Sequence, residues 1–479
     1  VLAATVGLWL GWGRLWAAPL LLAVVVYLIL VLLRILWSDP RFTRYGPMPD
    51  VRPLHGVRYD IAKVGNLSDV VAPPYDVIDP ALQERLYQLS PYNVIRLELN
   101  REETGDHPGQ DRYSRAAEFL KLWRREGVLR EDSHPTLYLY EQEFTVEGAS
   151  HRRRGFLARV RLEPFGKGRI FPHEQTLSGP KADRLALYHA TGFNLSPIFG
   201  LYPDPEQEVI RAIEAGLRDR TPLIAHDHLG VIHRLWLVTD PAAHTAAQGL
   251  MGSRPIFIAD GHHRYETGLR YRNDREARGQ LAGPDDPAHF CLMMLVGMSD
   301  PGLRILPTHR LVSGFPSLTV AILAERLAPQ FEVEETGTGE AGCRSAWELI
   351  EANGDQDLLG FGVVAEDRWM TARLRSDAAM DALVPEHSPE WRSLGVSVLH
   401  ELVLKTLLGN LGSPSCRYVH LIDEVLASRA VSDCDLACLV PPAGMEHVEA
   451  IASNRELMPP KSTYFYPKLL TGLVFNPLT

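Results

Sequence analysis

IFIADGHHRYETGLRYRN, residues 256–273, joins an apolar run to a charged stretch. Ile256 to Ala259 reads as a buried strand, and Asp260-Gly261 stops it. His262, His263 and Arg264 come next, and Tyr265 and Leu269 recur at roughly helical spacing. The stretch predicts a strand that hands over to a helix at Gly261. A helix that starts so abruptly presents unpaired N–H groups and the positive end of its dipole, which suits an anion and most often phosphate. Gly261 lets a ligand or backbone approach closely. Arg264 adds a permanently charged fork matched to phosphate oxygens. His262 and His263 can donate hydrogen bonds or handle protons near neutral pH. Asp260 can cap the helix or hold a metal beside the phosphates.

Two other readings of the same residues stand beside this one. Asp260 can be an N-cap and nothing more, with the histidines as polar first-turn residues. Alternatively, Asp260, His262 and His263 ligate zinc or manganese, with His173 as a further ligand. Adjacent helical residues point about 100° apart, so both histidines rarely reach one ion.

The whole chain bounds the answer. Its 479 residues exceed one ordinary core, so two or three domains are expected. The composition is that of a globular protein, 46% hydrophobic and 23% charged. A net charge of −10 and the lack of any long Lys/Arg run argue against a nucleic-acid partner. The densest basic patch, His151 to Arg154, lies between two strand-like runs and reads as a solvated hairpin end. Five cysteines without CxxC spacing fit a reducing compartment, with neither disulfides nor structural zinc expected.

Residues 1–47 pose a separate question. Nineteen residues between Arg14 and Arg34 carry no formal charge, enough for a transmembrane helix, and Trp16 and Trp37 bracket them. If residues 15–37 span a membrane, Arg34, Arg41 and Arg44 keep the C-terminal remainder of the chain in the cytoplasm, anchored to the inner membrane. The competing expectation is a mis-set start or a fused neighbour, since MPDVRPLHGVRYD from Met48 reads like the beginning of a soluble protein.

From Met48 onward the pattern is α+β, mixed sheets with packed helices, without the steady alternation of a Rossmann domain. Asp79-Pro80 offers an N-cap and first helical residue for ALQERLYQLS. NVIRLEL, 93–99, alternates like a strand, and DRYSRAAEFLKLWRREG reads as a long amphipathic helix. TLYLYEQEFTV and GFLARVRLEPF form a hairpin around Glu147-Gly148. Neither GxGxxG nor GxxxxGK[ST] is present. Residues 48–310 read as a motif-rich domain carrying the candidate phosphate site, and 311–479 as a C-terminal α+β portion that contributes KSTYFYPK.

Other polar clusters suit an anion. His173 and Glu174 pair an imidazole with a carboxylate, which is reasonable for acid–base work. Lys181 and Arg184, three apart at a helix start, share a face. Asn194 can orient a substrate, and Thr308-His309-Arg310 ends a strand. Lys461-Ser462-Thr463-Tyr464 offers an ammonium, two hydroxyls and a phenol.

VRPLHGVRYD, VAPPYDVID, NVIRLEL, FPHEQTLSGPKADRLAL, NLSPIFGLY, FIADGHHRYET, ILPTHRLV and MPPKSTYFYPKLLTGLVF resemble, in order, the uncharacterised bacterial and archaeal family called domain of unknown function 1015 (DUF1015). The resemblance runs from about Val51 to the end and transfers no established activity. The strand–DGHHR–helix unit is also similar to the phosphate-binding corner of the ParB and sulfiredoxin superfamily. That superfamily includes CTP-hydrolysing partition proteins, ATP-using sulfiredoxins and a free-serine kinase that uses ADP. The similarity implies that Gly261, His262, His263 and Arg264 contact phosphate. The sulfiredoxin cysteine is missing from this corner, and no partition-type helix-turn-helix is evident.

The expectation is therefore a small-molecule phosphotransferase or NTPase that binds ATP or ADP with Mg²⁺ and a small anionic or phosphorylated substrate. Arg264, Lys181, Arg184 and Lys461 would surround phosphate. Glu174, His173 or Glu98 would act as base, and Asp76 or Asp260 would hold Mg²⁺. A nucleotide-binding regulator without turnover and a metal-dependent hydrolase are the alternatives.

Overall fold

The computed structural model describes residues 48–479 apart from 147, 175–177, 220 and 432. The expected transmembrane segment, residues 15–37, lies outside these residues. Among the described residues no helix is long and apolar enough to cross a membrane.

The first sheet is built from Val51–Arg52 (β1), Leu137–Val146 (β2), Ala149–Arg161 (β3), Ile170–Phe171 (β4), Ile198–Tyr202 (β5), Leu223–His226 (β6), Ile232–Val238 (β7), Ile256–Asp260 (β8) and Phe290–Gly297 (β9). The order is β4-β8-β5-β9-β3-β2-β7-β6, with β1 beside β3. β8 runs parallel to β4 and antiparallel to β5, while β9 runs parallel to β5. Their side chains are buried on both faces, which explains the near-continuous apolar runs.

Arg304–Leu306 (β10) links this body to a second sheet. That sheet contains His309–Ser313 (β11), Phe331–Thr338 (β12), Leu358–Val363 (β13), Arg368–Leu374 (β14), Ser415–Val419 (β15) and Leu436–Leu439 (β16), in the order β12-β14-β13-β16-β11-β15. The chain then returns. Tyr464–Tyr466 (β17) pairs with β10, and Phe465, Leu469, Leu470 and Phe475 join the first core.

Local signals account for many boundaries. Asp79 accepts from Leu82 N at the start of helix Pro80–Leu89, and Asp111 and Ser114 form a capping box on Arg112–Arg125. The β2–β3 hairpin also forms where the alternation placed it.

Two expectations are corrected here. NVIRLEL is not a strand, because Ile95–Glu98 is a short helix. The Asn93 side chain accepts from Ile95 N and donates to Asp69 O and Val71 O, so it initiates a turn inside the core. The 151–154 patch is not wholly solvated either. Arg152 is 60% exposed at its side chain, but Arg153 is fully buried. The Arg153 guanidinium donates to Gln142 Oε1 and to the Tyr466 and Pro467 carbonyls, pinning the returning segment onto the sheet.

Truncating Arg153 leaves these buried acceptors without a donor. Arg153→Ala is expected to cost about 3–5 kcal/mol, and Arg152→Ala less than about 0.5 kcal/mol. Urea denaturation midpoints at unchanged m-value check both.

Candidate functional site

β8 carries an irregularity between Ile258 and Asp260, and the chain turns at Gly261 into helix His262–Ala277. Gly261 has φ +90°, and a Cβ there would lie 3.0 Å from the Arg264 guanidinium. Only glycine meets both demands without strain. Gly261 is also the N-cap, so it has no side chain to satisfy the first-turn N–H groups. Asp260 does not cap the helix; its Oδ1 accepts from Gly261 N instead.

Arg264 lies beneath this turn, 4% exposed. It donates to the Pro197 carbonyl, stands 3.6 Å from Asp260 Oδ2, and has a buried Nε without a hydrogen-bond partner. Lys468 approaches Asp260 Oδ2 at 3.3 Å and lies over the Tyr464 ring. The Lys468 ammonium, then Arg264 and Lys461, outweigh the effect of burial and hold the Asp260 carboxyl well below the usual carboxylate range.

His173 is fully buried and both its ring nitrogens are engaged. Nδ1–H donates to Ile258 O at 2.6 Å, and Nε2 accepts from Thr463 Oγ1 at 2.8 Å. Burial pushes its pKa down to about 4, so it stands neutral. His173 N donates to His262 Nε2, and the two rings meet edge to face. Burial likewise keeps His262 neutral. His263 is half-buried, and burial followed by the Lys461 charge lowers its pKa. Glu174 Oε1 accepts from Lys461 N at 2.9 Å, and burial raises its carboxyl pKa.

The other candidates stand in different states. Arg184 is 2% exposed and paired with Glu98 and Asp183. Lys181 binds Glu266 on the corner helix at 2.8 Å. Asn194 is buried and accepts from Leu292 N and Asn476 Nδ2. Asp76 is exposed, and its charge acts on Arg264. Lys461 is exposed, and its charge acts on Asp260, His263 and Glu174. Among the described residues no three His, Cys, Asp or Glu side chains are placed to share one metal ion. A Mg²⁺ bound chiefly through phosphates needs only one or two carboxylates.

A family model described as a protein of unknown function, DUF1015, matches residues 51–397. The chain belongs to the DUF1015 family. The DUF1015 match takes in Glu174 and the whole Gly261 turn, and it stops short of Lys461 and Lys468. A search of curated proteins found no match. Solved structures similar to this chain include a conserved hypothetical protein from Pyrococcus furiosus, at 14% identity and TM-score 0.31, covering 64% of this chain and 92% of that one. A mutant free serine kinase in complex with ADP is similar at 12% identity and TM-score 0.32, covering 64% and 89%. SbnI with a C-terminal truncation, from Staphylococcus aureus, is similar at 11% identity and TM-score 0.31, covering 67% and 87%.

Sequence reasoning missed the roles of Lys468 and Arg153. Lys468 closes the same KSTYFYPK motif that holds Lys461, so the motif itself was the available signal. Arg153 sits at an inward-facing position of an alternating strand, which the periodicity of β3 marks.

The buried histidines make the fold acid-sensitive. A His173 pKa near 4 against an ordinary 6.5 means that the unfolded chain takes up the proton first. Its contribution is complete above about pH 6.5 and is lost as pH falls towards 4. The loss amounts to roughly 3 kcal/mol for one such group. Urea denaturation at pH 7, 6 and 5 should show this slope, and His173→Gln should flatten it.

Proposed function

We propose that this chain binds a nucleotide or phosphorylated small molecule at the Gly261 corner, and that it is a small-molecule phosphotransferase. The observation that carries the reading is the uncapped start of helix His262–Ala277, with Lys461 and Glu174 held beside it. Backbone N–H groups and the helix dipole favour a phosphate there, and Gly261 makes room for the Arg264 guanidinium beneath them. These features support a phosphate corner of the ParB and sulfiredoxin kind.

Each residue then has a distinct part. The Lys461 ammonium meets phosphate oxygens from the solvent side. Arg264 contributes fixed positive charge from below while bracing the turn. Glu174, with its raised pKa, accepts the proton of an acceptor hydroxyl. That oxygen forms the new P–O bond as the bond to the nucleotide's leaving oxygen breaks. His173 and His262 hold the floor of the site as neutral, hydrogen-bonded rings. Lys181 and Arg184 lock helix Ser178–Thr191 against the corner through their carboxylate partners. Mg²⁺, when bound, neutralises phosphate charge, and Asp76 is the exposed carboxylate suited to it.

Thermal melts of the full chain with ATP, ADP, CTP and GTP, each with and without Mg²⁺, test the reading. Ligand at a hundred times its Kd adds about 2.7 kcal/mol of stability. One nucleotide should raise the melting temperature, and Lys461→Ala should remove about half of the rise or more. Glu174→Gln should keep the rise and lose turnover; turnover surviving in Glu174→Gln removes Glu174 as the base. Absence of a shift with every nucleotide overturns the proposal.

A further inference from the structure

Lys461 has a left-handed backbone, φ +58°, although it is not glycine. That conformation costs a side-chain-bearing residue roughly 1 kcal/mol or more and persists only where its surroundings impose it. Here the peptide groups on both sides are held. On one side, Glu174 of the first body accepts the Lys461 N–H. On the other, Arg310, on β11 of the second sheet, donates to the Lys461 carbonyl at 2.9 Å.

Arg310 is itself unusual. It is 1% exposed, and the Glu174 carboxylate acts on it through its charge. Its remaining donors go to the Thr308 carbonyl and to His400 Nε2, and the Tyr418 ring lies beside it. Burying a cation costs several kcal/mol unless its donors are satisfied. Each of its three nitrogens donates to a polar acceptor, one of them the Lys461 carbonyl, a contact that an apolar residue does not make.

We infer that Arg310 is a positioning residue: with Glu174 it clamps the Lys461 backbone so that the Lys461 ammonium faces the phosphate corner, making the site a joint product of both bodies. This inference rests on the phosphate-corner reading of Gly261. It also explains how a residue of the second sheet bears on a site built from the first.

A double-mutant cycle on the full chain tests it, with MgATP and MgADP affinities read by calorimetry. Lys461→Ala should weaken the better ligand about tenfold or more. Arg310→Gln should do the same, although Arg310 touches no ligand. The double variant should be no weaker than Lys461→Ala alone, because Arg310 acts only through Lys461. Arg310→Lys, which keeps the charge and cannot span the three partners, serves if Arg310→Gln does not fold; it should show the same coupling. Losses that add to about a hundredfold in the double variant overturn the clamp and leave the corner intact. Native binding that Arg310→Gln or Arg310→Lys leaves unchanged does the same. No binding of either nucleotide by the native chain overturns both.

Discussion

A guanidinium buried under a glycine turn sets the terms for the rest of this molecule. Arg264 loses its hydration at 4% exposure, and isolated burial of that charge is prohibitive. It is offset by the Asp260 carboxylate and the Pro197 carbonyl. Because the guanidinium fills the space where a Cβ would stand, position 261 must be glycine, and the helix must begin without a side-chain cap. The same Asp260 recruits Lys468, so the corner also requires the C-terminal segment to come back across the first sheet. Stability and the geometry of the corner thus arise from one arrangement.

Most of the cations suited to phosphate already have partners within the fold. Arg184 faces Glu98, Lys181 faces Glu266, and Arg153 and Arg310 direct their donors to carbonyls and side chains. Coulomb attraction in a poorly hydrated interior is strong, so a buried guanidinium takes the nearest acceptor the fold supplies. The phosphate proposed at this corner would be left with the helix terminus and the exposed Lys461. A site of this kind uses oriented backbone dipoles more than side-chain charge, and dipoles fixed by the fold need no reorganisation when a phosphate arrives.

The neutral histidines fit the same pattern. His173 bridges Ile258 on β8 and Thr463 on the returning segment, and it supports His262 at the first helical turn. Burial disfavours its ionisation, and the Lys468 charge opposes it further. An imidazole that stays neutral joins three chain segments and leaves the fold acid-sensitive.

Local features were legible without the fold. The change from an unbroken apolar run to helical spacing marked β8 and its helix, and Gly261 marked the join. Asp79-Pro80 and Asp111 marked helix starts, and alternation marked the β2–β3 hairpin. These signals act over fewer than about ten residues, where sterics and capping dominate. NVIRLEL defeated the same reasoning because a short buried helix and a buried strand share an apolar pattern, and Asn93 decides between them through contacts with Asp69 and Val71. The fate of each charge was equally hidden. Arg153 meets Tyr466, Arg184 meets Glu98, and Arg310 meets Lys461, partners that lie far apart along the chain. Sequence by itself determined where many strands, turns and caps begin, because those depend on neighbours in the chain. Only the tertiary structure decided which cations are neutralised and which face solvent, because that depends on neighbours in space.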